Sequence, residues 1–156
     1  MENLEKLLER QSGNHFANHT GITVESADET GVTLVLDLRT QVTSHLGFAH
    51  AGALYTLAEN AAGAAAFHCD GRRYVTQTGS IQYLANQKSG TLRAKATVVH
   101  HGRATCMVRT EVTGESGKLL CMSEFTLFCV EGKSLPCVKG GGRAQRGRRD
   151  CNAAKA

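Results

Sequence analysis

Apolar and polar residues alternate in six short stretches of the chain, and this period of two predicts β-strands that bury one face. Turn signals such as Gly31 separate most of these stretches. The predicted strands cover residues 22–26, 32–38, 74–84, 91–100, 105–112 and 119–130. The first two should form a hairpin, and the last four, which have short connections, should form an antiparallel meander.

Two other segments have the character of helices. Residues 1–10 are amphipathic and acidic, and residues 13–20 follow as a polar loop. Residues 51–67 contain eight alanines, so this stretch predicts a buried helix with side chains small enough for a sheet to wrap around it closely. The chain is therefore predicted to be an α+β protein in which one six-stranded antiparallel sheet wraps around one long Ala-rich helix.

Such a sheet has two open edges. Exposed edge strands are usually paired or blunted, and the apolar last strands indicate pairing with a second subunit. We therefore expect a homodimer or a dimer of dimers. The single proline, Pro136, follows the last predicted strand and is consistent with the end of the fold there.

The charge is concentrated at the C-terminal end of the chain. The 156 residues carry a formal net charge of +4, but residues 131–156 hold seven Lys or Arg against two acids, so residues 1–130 are nearly neutral. This division predicts one domain over residues 1–130 and a Gly-rich basic tail over residues 131–156 that is disordered. A solvated appendage is favoured over a nucleic-acid contact, because no aromatic residue is available for base stacking.

The cysteines and the N-terminal residues indicate the cellular compartment in which we expect the protein. The six cysteines form no CxxC pair and have no histidine at ligand spacing, so they predict free thiols in a reducing compartment and no metal site. A nucleophilic role for Cys69 is not favoured, since its neighbour His68 should point elsewhere on the helix. No signal peptide or membrane span is visible, and we expect a cytoplasmic protein.

Glu59 is the only acid in the Ala-rich stretch. A buried carboxylate there is a candidate general base or nucleophile, and a solvated helix face is the alternative. The first turn of the same helix, Ala51 and Gly52, presents unpaired N–H groups that suit a polarised carbonyl. Glu59 lies roughly 12 Å further along the helix, so if both groups act on one atom they should come from different subunits.

The segment Gly47-Phe-Ala-His50-Ala-Gly52, with Glu59 nine residues after His50, resembles the Gly-x-x-His-Gly-Gly and acid pattern of hotdog-fold acyl-CoA thioesterases, especially the PaaI-like branch. Residues 81–84 and 98–103 are also similar to strand signatures of that family. The resemblance covers residues 15–130. It implies a hotdog fold and hydrolysis of an acyl-CoA, or less often of an acyl carrier protein thioester, with coenzyme A as part of the substrate and no separate cofactor.

The resemblance also implies roles for single residues. Glu59 would activate water or attack the thioester, the Ala51 N–H would polarise its carbonyl, and His50 would order the loop or bond near the thioester. The chain departs from the family at Ser44, where Asn or Gln is usual, and at Gly63, which supplies no side chain where some branches carry Ser or Thr.

The remaining residues implied by the resemblance concern substrate binding. Basic residues near the strand connections are candidate contacts to the coenzyme phosphates, with ordinary surface charge as the alternative. Ser80 lies at the start of the strand beside the pantetheine arm, and apolar residues of the helix would line the acyl pocket. These candidates are Gly47, Gly52, Tyr55, Gly63, Ser80 and Arg103, with Arg72, Arg73, Lys88 and His101 as further phosphate contacts.

Two other functions are known on the same fold, and the sequence bears on each. A hydratase or dehydratase would bring a Pro-rich His motif before the helix, and this chain has no proline there. A regulator that binds acyl-CoA would carry a DNA-binding segment, for which residues 1–20 are too short. A non-catalytic acyl-CoA-binding protein stays open because of Ser44.

Overall fold

The computed structural model describes residues 2–131, and nearly all of the predicted basic tail lies outside these residues. The described part has three helices and six strands, together with one 3₁₀ turn at Thr40–Val42. The helices are α1 Glu2–Ser12, α2 His15–Thr20 and α3 Ala51–Asp70. The strands are β1 Thr23–Asp28, β2 Gly31–Asp37, β3 Tyr74–Tyr83, β4 Thr91–His101, β5 Thr105–Thr113 and β6 Leu119–Cys129.

The predicted fold class is confirmed. All strand pairs are antiparallel, the sheet order is β1-β2-β4-β5-β6-β3, and α3 packs against the face of this sheet. This is the hotdog arrangement of one sheet around one central helix. The predicted hairpin is β1 and β2, with Gly31 at its turn.

The predicted four-strand meander is wrong in one respect. β4 pairs with β2 on one side and with β5 on the other, so β3 cannot lie beside it. β3 instead crosses to the far end of the sheet and pairs with β6, and residues 84 and 85 donate backbone hydrogen bonds to Leu120 at 2.8 and 3.0 Å. The last strand is therefore interior, and the open edges are β1 and β3.

The polar segment after the first helix forms α2 rather than the predicted loop. The Asn14 side chain accepts a hydrogen bond from the Ala17 N–H at 3.1 Å, and Gly21, at φ 83°, ends the helix in the left-handed region. Both residues are helix-capping signals, and they define a helix in a segment that has no apolar periodicity. These two caps place α2 against α3.

The core lies between α3 and the concave face of the sheet. Leu54 and Leu57 are almost fully buried, and so are six alanines of the helix. Burial of each large apolar side chain contributes about 1.5–3 kcal/mol, while the small alanines let the strands approach the helix. α3 is thus a rigid central element that sets the spacing of every group it carries.

Gly79 of β3 marks the closest approach of the edge strand to the core. A methyl group there would lie 2.6 Å from ring carbons of Phe125 and 2.6 Å from the Tyr55 hydroxyl oxygen. The two rings pack edge to face with centroids 5.5 Å apart. No small shift of one ring could make room without moving the other.

We predict that Gly79→Ala lowers the free energy of unfolding by about 1–3 kcal/mol, because the added methyl overpacks this contact. Urea unfolding followed by circular dichroism measures the change. Gly13→Ala is the matched control, since the nearest atom to its methyl would be 3.6 Å away. An unchanged midpoint for Gly79→Ala would contradict the packing described.

Candidate functional site

Glu59 lies in a cleft between α3, the two N-terminal helices and β3. The Thr76 hydroxyl donates a hydrogen bond to its Oε1 at 2.5 Å, and the Asn60 amide donates to Oε2 at 3.4 Å. The residue is partly buried, so the alternative of a freely solvated helix face does not apply. The cleft has a volume of about 270 Å³.

The N-terminal helices supply the outer wall of this cleft. Asn14 donates from its amide to Asn60 Oδ1 at 2.6 Å. The Arg10 guanidinium lies over the Phe67 ring at 5.4 Å and is 3.5 Å from the position that a Cβ would take at Gly63. Sequence reasoning missed these contacts, because no periodicity relates α1 and α2 to the middle of α3.

The start of α3 forms a second group of candidate residues. His50 is the N-cap, and its Nδ1 accepts the Gly52 N–H at 2.9 Å. This contact gives His50 a role in ordering the start of the helix. Among the described residues, none accepts a hydrogen bond from the exposed Ala51 N–H. That donor is available to a ligand.

The loop before α3 is held in place from two sides. The Ala49 N–H donates to the Gln87 carbonyl at 2.9 Å, and the Asn86 amide donates to the Ala49 carbonyl at 3.0 Å. The Tyr83 hydroxyl at the end of β3 donates to the Ala51 carbonyl at 3.0 Å. The direction of the Ala51 N–H is therefore fixed by β3 and the connection that follows it.

Ser44 and Gly47 form a tight turn in the same loop. The Gly47 N–H donates to the Ser44 carbonyl at 2.9 Å, and the Leu46 N–H donates to the Ser44 hydroxyl at 3.3 Å. Gly47 has φ 75°, a left-handed conformation that favours glycine. The Ser44 hydroxyl thus takes part in the turn itself.

The candidate residues fall into separate groups along α3. Glu59 and Gly63 line one cleft, whereas the residues around Ala51 lie about 12 Å away along the helix. Ser80 is exposed on the edge strand, opposite Glu124 of β6. Arg103 is exposed in the connection between β4 and β5.

Asp70, at the end of α3, collects side chains that were expected to contact phosphates. Its carboxylate accepts hydrogen bonds from Arg72 Nε at 2.5 Å and from the Tyr74 hydroxyl at 2.8 Å, and it lies 2.7 Å from His101 Nε2. Burial raises the pKa of Asp70, but hydrogen bonds from Arg72, Tyr74 and His101 outweigh it and lower the pKa to about 2. The side chains of Arg72 and His101 are therefore already engaged with the Asp70 carboxylate.

The buried cysteines behave as apolar groups. Burial raises the pKa of the Cys106 and Cys121 thiols to about 11, so both stay protonated at neutral pH. Over residues 2–131 no three potential metal-ligating side chains come together, and no helix of that range has the length and apolar character needed to cross a membrane.

Comparison with known proteins gives consistent results. The sequence model of the thioesterase superfamily matches residues 46–121. "Putative esterase ComA2" of Bacillus subtilis is 30% identical over 113 residues, which cover 70% of this chain and 88% of that protein. The 1,4-dihydroxy-2-naphthoyl-CoA hydrolase of Listeria monocytogenes is 29% identical over 109 residues, covering 69% and 89% of the two chains.

A solved structure extends the similarity to three dimensions. A hypothetical thioesterase protein of Streptococcus pneumoniae, with coenzyme A, matches with a TM-score of 0.67 and 29% identity. The match covers 73% of this chain and 92% of that chain.

We predict that Asp70→Asn lowers stability in a pH-dependent way. The folded-state pKa of about 2 lies below the ordinary 3.8, so the stabilisation is present above about pH 4 and is lost as the pH falls towards 2. The variant should be about 1–2 kcal/mol less stable than the wild type at pH 7, and the difference should shrink by pH 3. Urea titrations at both pH values measure it, and a difference independent of pH would contradict this account.

Proposed function

The chain belongs to the thioesterase superfamily and is a thioester hydrolase, and we propose that it hydrolyses an acyl-CoA with Glu59 as the catalytic carboxylate. The acyl-CoA assignment is supported by the name of the Listeria relative, a CoA thioester hydrolase, and by the Streptococcus structure with coenzyme A. An acyl carrier protein thioester is the alternative substrate. Membership of the PaaI-like branch stays a prediction.

The observation that carries the proposal is the hydrogen bonding of Glu59. The Thr76 hydroxyl binds one carboxylate oxygen closely, at 2.5 Å, and anchors that oxygen. Within residues 2–131, the other oxygen has only the long contact with the Asn60 amide. This second oxygen has lone pairs free to take a proton from water or to attack the thioester carbon directly.

Thr76 and Asn60 also fill a gap left by Ser44. The family's longer amide at that position would help to hold water or the thioester, and the Ser44 hydroxyl here belongs to its own turn. A hydroxyl and an amide already stand beside Glu59 in the same cleft. Both groups already donate to Glu59, and the Thr76 hydroxyl oxygen can still accept a hydrogen bond from the attacking water.

The Ala51 N–H is the proposed donor to the thioester oxygen. It is exposed and has no acceptor among residues 2–131. As the first N–H of a twenty-residue helix it also lies at the positive end of the helix dipole. Negative charge that develops on the thioester oxygen would be stabilised there.

The two groups cannot meet within one subunit, because Glu59 lies eight positions, about 12 Å, beyond Ala51 along the helix. β3 offers a way to bring them together: Thr76 near its start contacts Glu59, and Tyr83 at its end contacts Ala51. If two copies pair antiparallel along this open edge, the start of one β3 faces the end of the other. A homodimer would then place Glu59 near the partner's Ala51, and a dimer of dimers would keep the same pairs.

The substrate contacts follow from the same arrangement. Tyr55 lies beneath β3 against Phe125 and would bound the acyl pocket, and Ser80 on the exposed edge strand would lie beside the pantetheine arm. Arg103 and Arg72 line a groove of about 350 Å³ together with the acidic Glu131, and the two guanidinium groups are the candidate phosphate contacts there. Arg103 is the stronger candidate, since Arg72 is bound to Asp70.

The Gly-rich start of α3 completes the proposed contacts. Gly47 and Gly52 have no side chains, which lets a ligand approach the loop and the first helical turn. His50 already occupies the Gly52 N–H, so His50 orders this region and leaves the Ala51 donor to the substrate.

We predict that Glu59→Gln reduces kcat/KM for aryl- and medium-chain acyl-CoAs by about 100-fold or more, because the amide cannot accept the proton or attack. The variant keeps a carbonyl oxygen for Thr76, so the fold should be retained. The assay measures the free thiol of coenzyme A with a thiol reagent. Because the exposed Cys69 of the protein should react with the same reagent, the reaction is followed until much more than one thiol per protein chain has been released.

The matched control is Glu25→Gln. Glu25 is an exposed glutamate of β1 that pairs with Arg93 at 3.0 Å, outside the cleft. Its variant should keep the wild-type rate. Full activity of Glu59→Gln, with turnover in the wild type, would show that the catalytic carboxylate lies elsewhere.

A further inference from the structure

In the described part of the chain, Arg10 is the one positively charged residue that lines the Glu59 cleft. It occupies the last turn of α1, and its guanidinium lies over the ring of Phe67 with 5.4 Å to the centroid. Gly63 of α3 lies beneath it, with 3.5 Å between Nη2 and the position of a Cβ. At that distance a Cβ would make ordinary van der Waals contact, so the guanidinium lies against the surface of the helix at Gly63.

The guanidinium interacts with Glu59 through its charge. Burial lowers the pKa of Arg10, and the negative charge of Glu59 acts in the opposite direction. An arginine remains protonated at any physiological pH, so the cleft holds a permanent positive charge. In a partly buried cleft this attraction is screened less than on an open surface.

The pair is not a closed salt bridge. Within the described part of the chain, no side chain or carbonyl accepts a hydrogen bond from the Arg10 guanidinium, and the Glu59 oxygens are bound by Thr76 and Asn60 instead. The carboxylate therefore keeps a free lone pair while it feels the nearby cation. A cation in the same cleft that makes no hydrogen bond to the carboxylate attracts it electrostatically and leaves that lone pair unblocked.

The N-terminal segment is also linked to the Glu59 carboxylate through a chain of two hydrogen bonds. Asn14, at the cap of α2, donates to Asn60 Oδ1 at 2.6 Å, and Asn60 in turn donates to Glu59. Arg10 and Asn14 both lie outside residues 46–121, the part matched by the superfamily model. The N-terminal helices thus add two contacts to the site of this chain.

We propose that Arg10 is a positioning residue for catalysis, a fixed counter-charge that holds the Glu59 carboxylate in its reactive orientation and acts through it rather than on the substrate. This inference rests on the proposed role of Glu59. Stacking on Phe67 restricts the guanidinium, so its charge is pre-organised before the substrate arrives.

The test compares two variants of Arg10 in steady-state hydrolysis of the best acyl-CoA. Arg10→Met keeps the length and the apolar packing on Phe67 but removes the charge, and Arg10→Lys keeps the charge. We expect kcat to fall by about tenfold or more in Arg10→Met with KM changed less than about twofold, because only the reactive step depends on the orientation of Glu59. Arg10→Lys should retain at least about a third of the wild-type kcat.

Arg93→Met is the matched control. Arg93 is an exposed arginine of β4 that pairs with Glu25, and removal of its charge should leave kcat and KM unchanged. Thermal unfolding of each variant separates a loss of charge from a loss of folded protein. Should Arg10→Met fail to fold, Arg10→Gln replaces it in the same comparison.

Three outcomes would overturn the inference: an unchanged kcat in Arg10→Met, equal losses in the Met and Lys variants, or a loss that appears only in KM. They are distinguishable from failure of the proposed function. If Glu59→Gln is inactive while Arg10→Met is fully active, only the role of Arg10 is wrong. If Glu59→Gln is active, the site itself is wrong.

Discussion

Glu59 lies eight positions beyond Ala51 on one continuous helix, and this spacing is the constraint on which the proposed site depends. A helix rises 1.5 Å per residue, so the free N–H and the carboxylate stay about 12 Å apart in one subunit. The core encloses α3 and cannot let it bend. β3 contacts Glu59 near its start and Ala51 at its end, and it is an open edge of the sheet. In the proposed homodimer, the second subunit pairs along this edge and completes the site.

The same tight packing determines how a carboxylate is accommodated in so apolar a helix. Alanines let the sheet close around α3, and Gly79 lets β3 approach the ring of Phe125. Glu59 avoids the apolar interior because the N-terminal helices and Thr76 form a polar cleft over it. Its neighbours supply a hydroxyl, an amide and, through Arg10, a positive charge. The site is therefore a product of α1 and α2 as much as of the sheet.

Local pattern was enough to predict the strands and the central helix, and it placed Glu59 and Ala51 on that helix. Period-two alternation and helix-end chemistry are properties of neighbouring residues. The position of β3 beside β6 was missed because strand order depends on long-range pairing, in which β2 takes the free side of β4. Thr76 and Arg10 were missed for the same reason. Arg72 looked free in the sequence, but Asp70, two residues away, holds it.

The most direct test of the shared site mixes two inactive subunits. Ala51→Pro removes only the proposed donor, because proline suits the first position of a helix and His50, at φ −67° and ψ 137°, already has the conformation preferred before it. When Ala51→Pro and Glu59→Gln chains are refolded together in equal amounts, half of the dimers should contain one intact site, and activity should return to about a quarter of the wild-type value. Activity no higher than that of the two variants measured separately would show that each subunit uses its own groups.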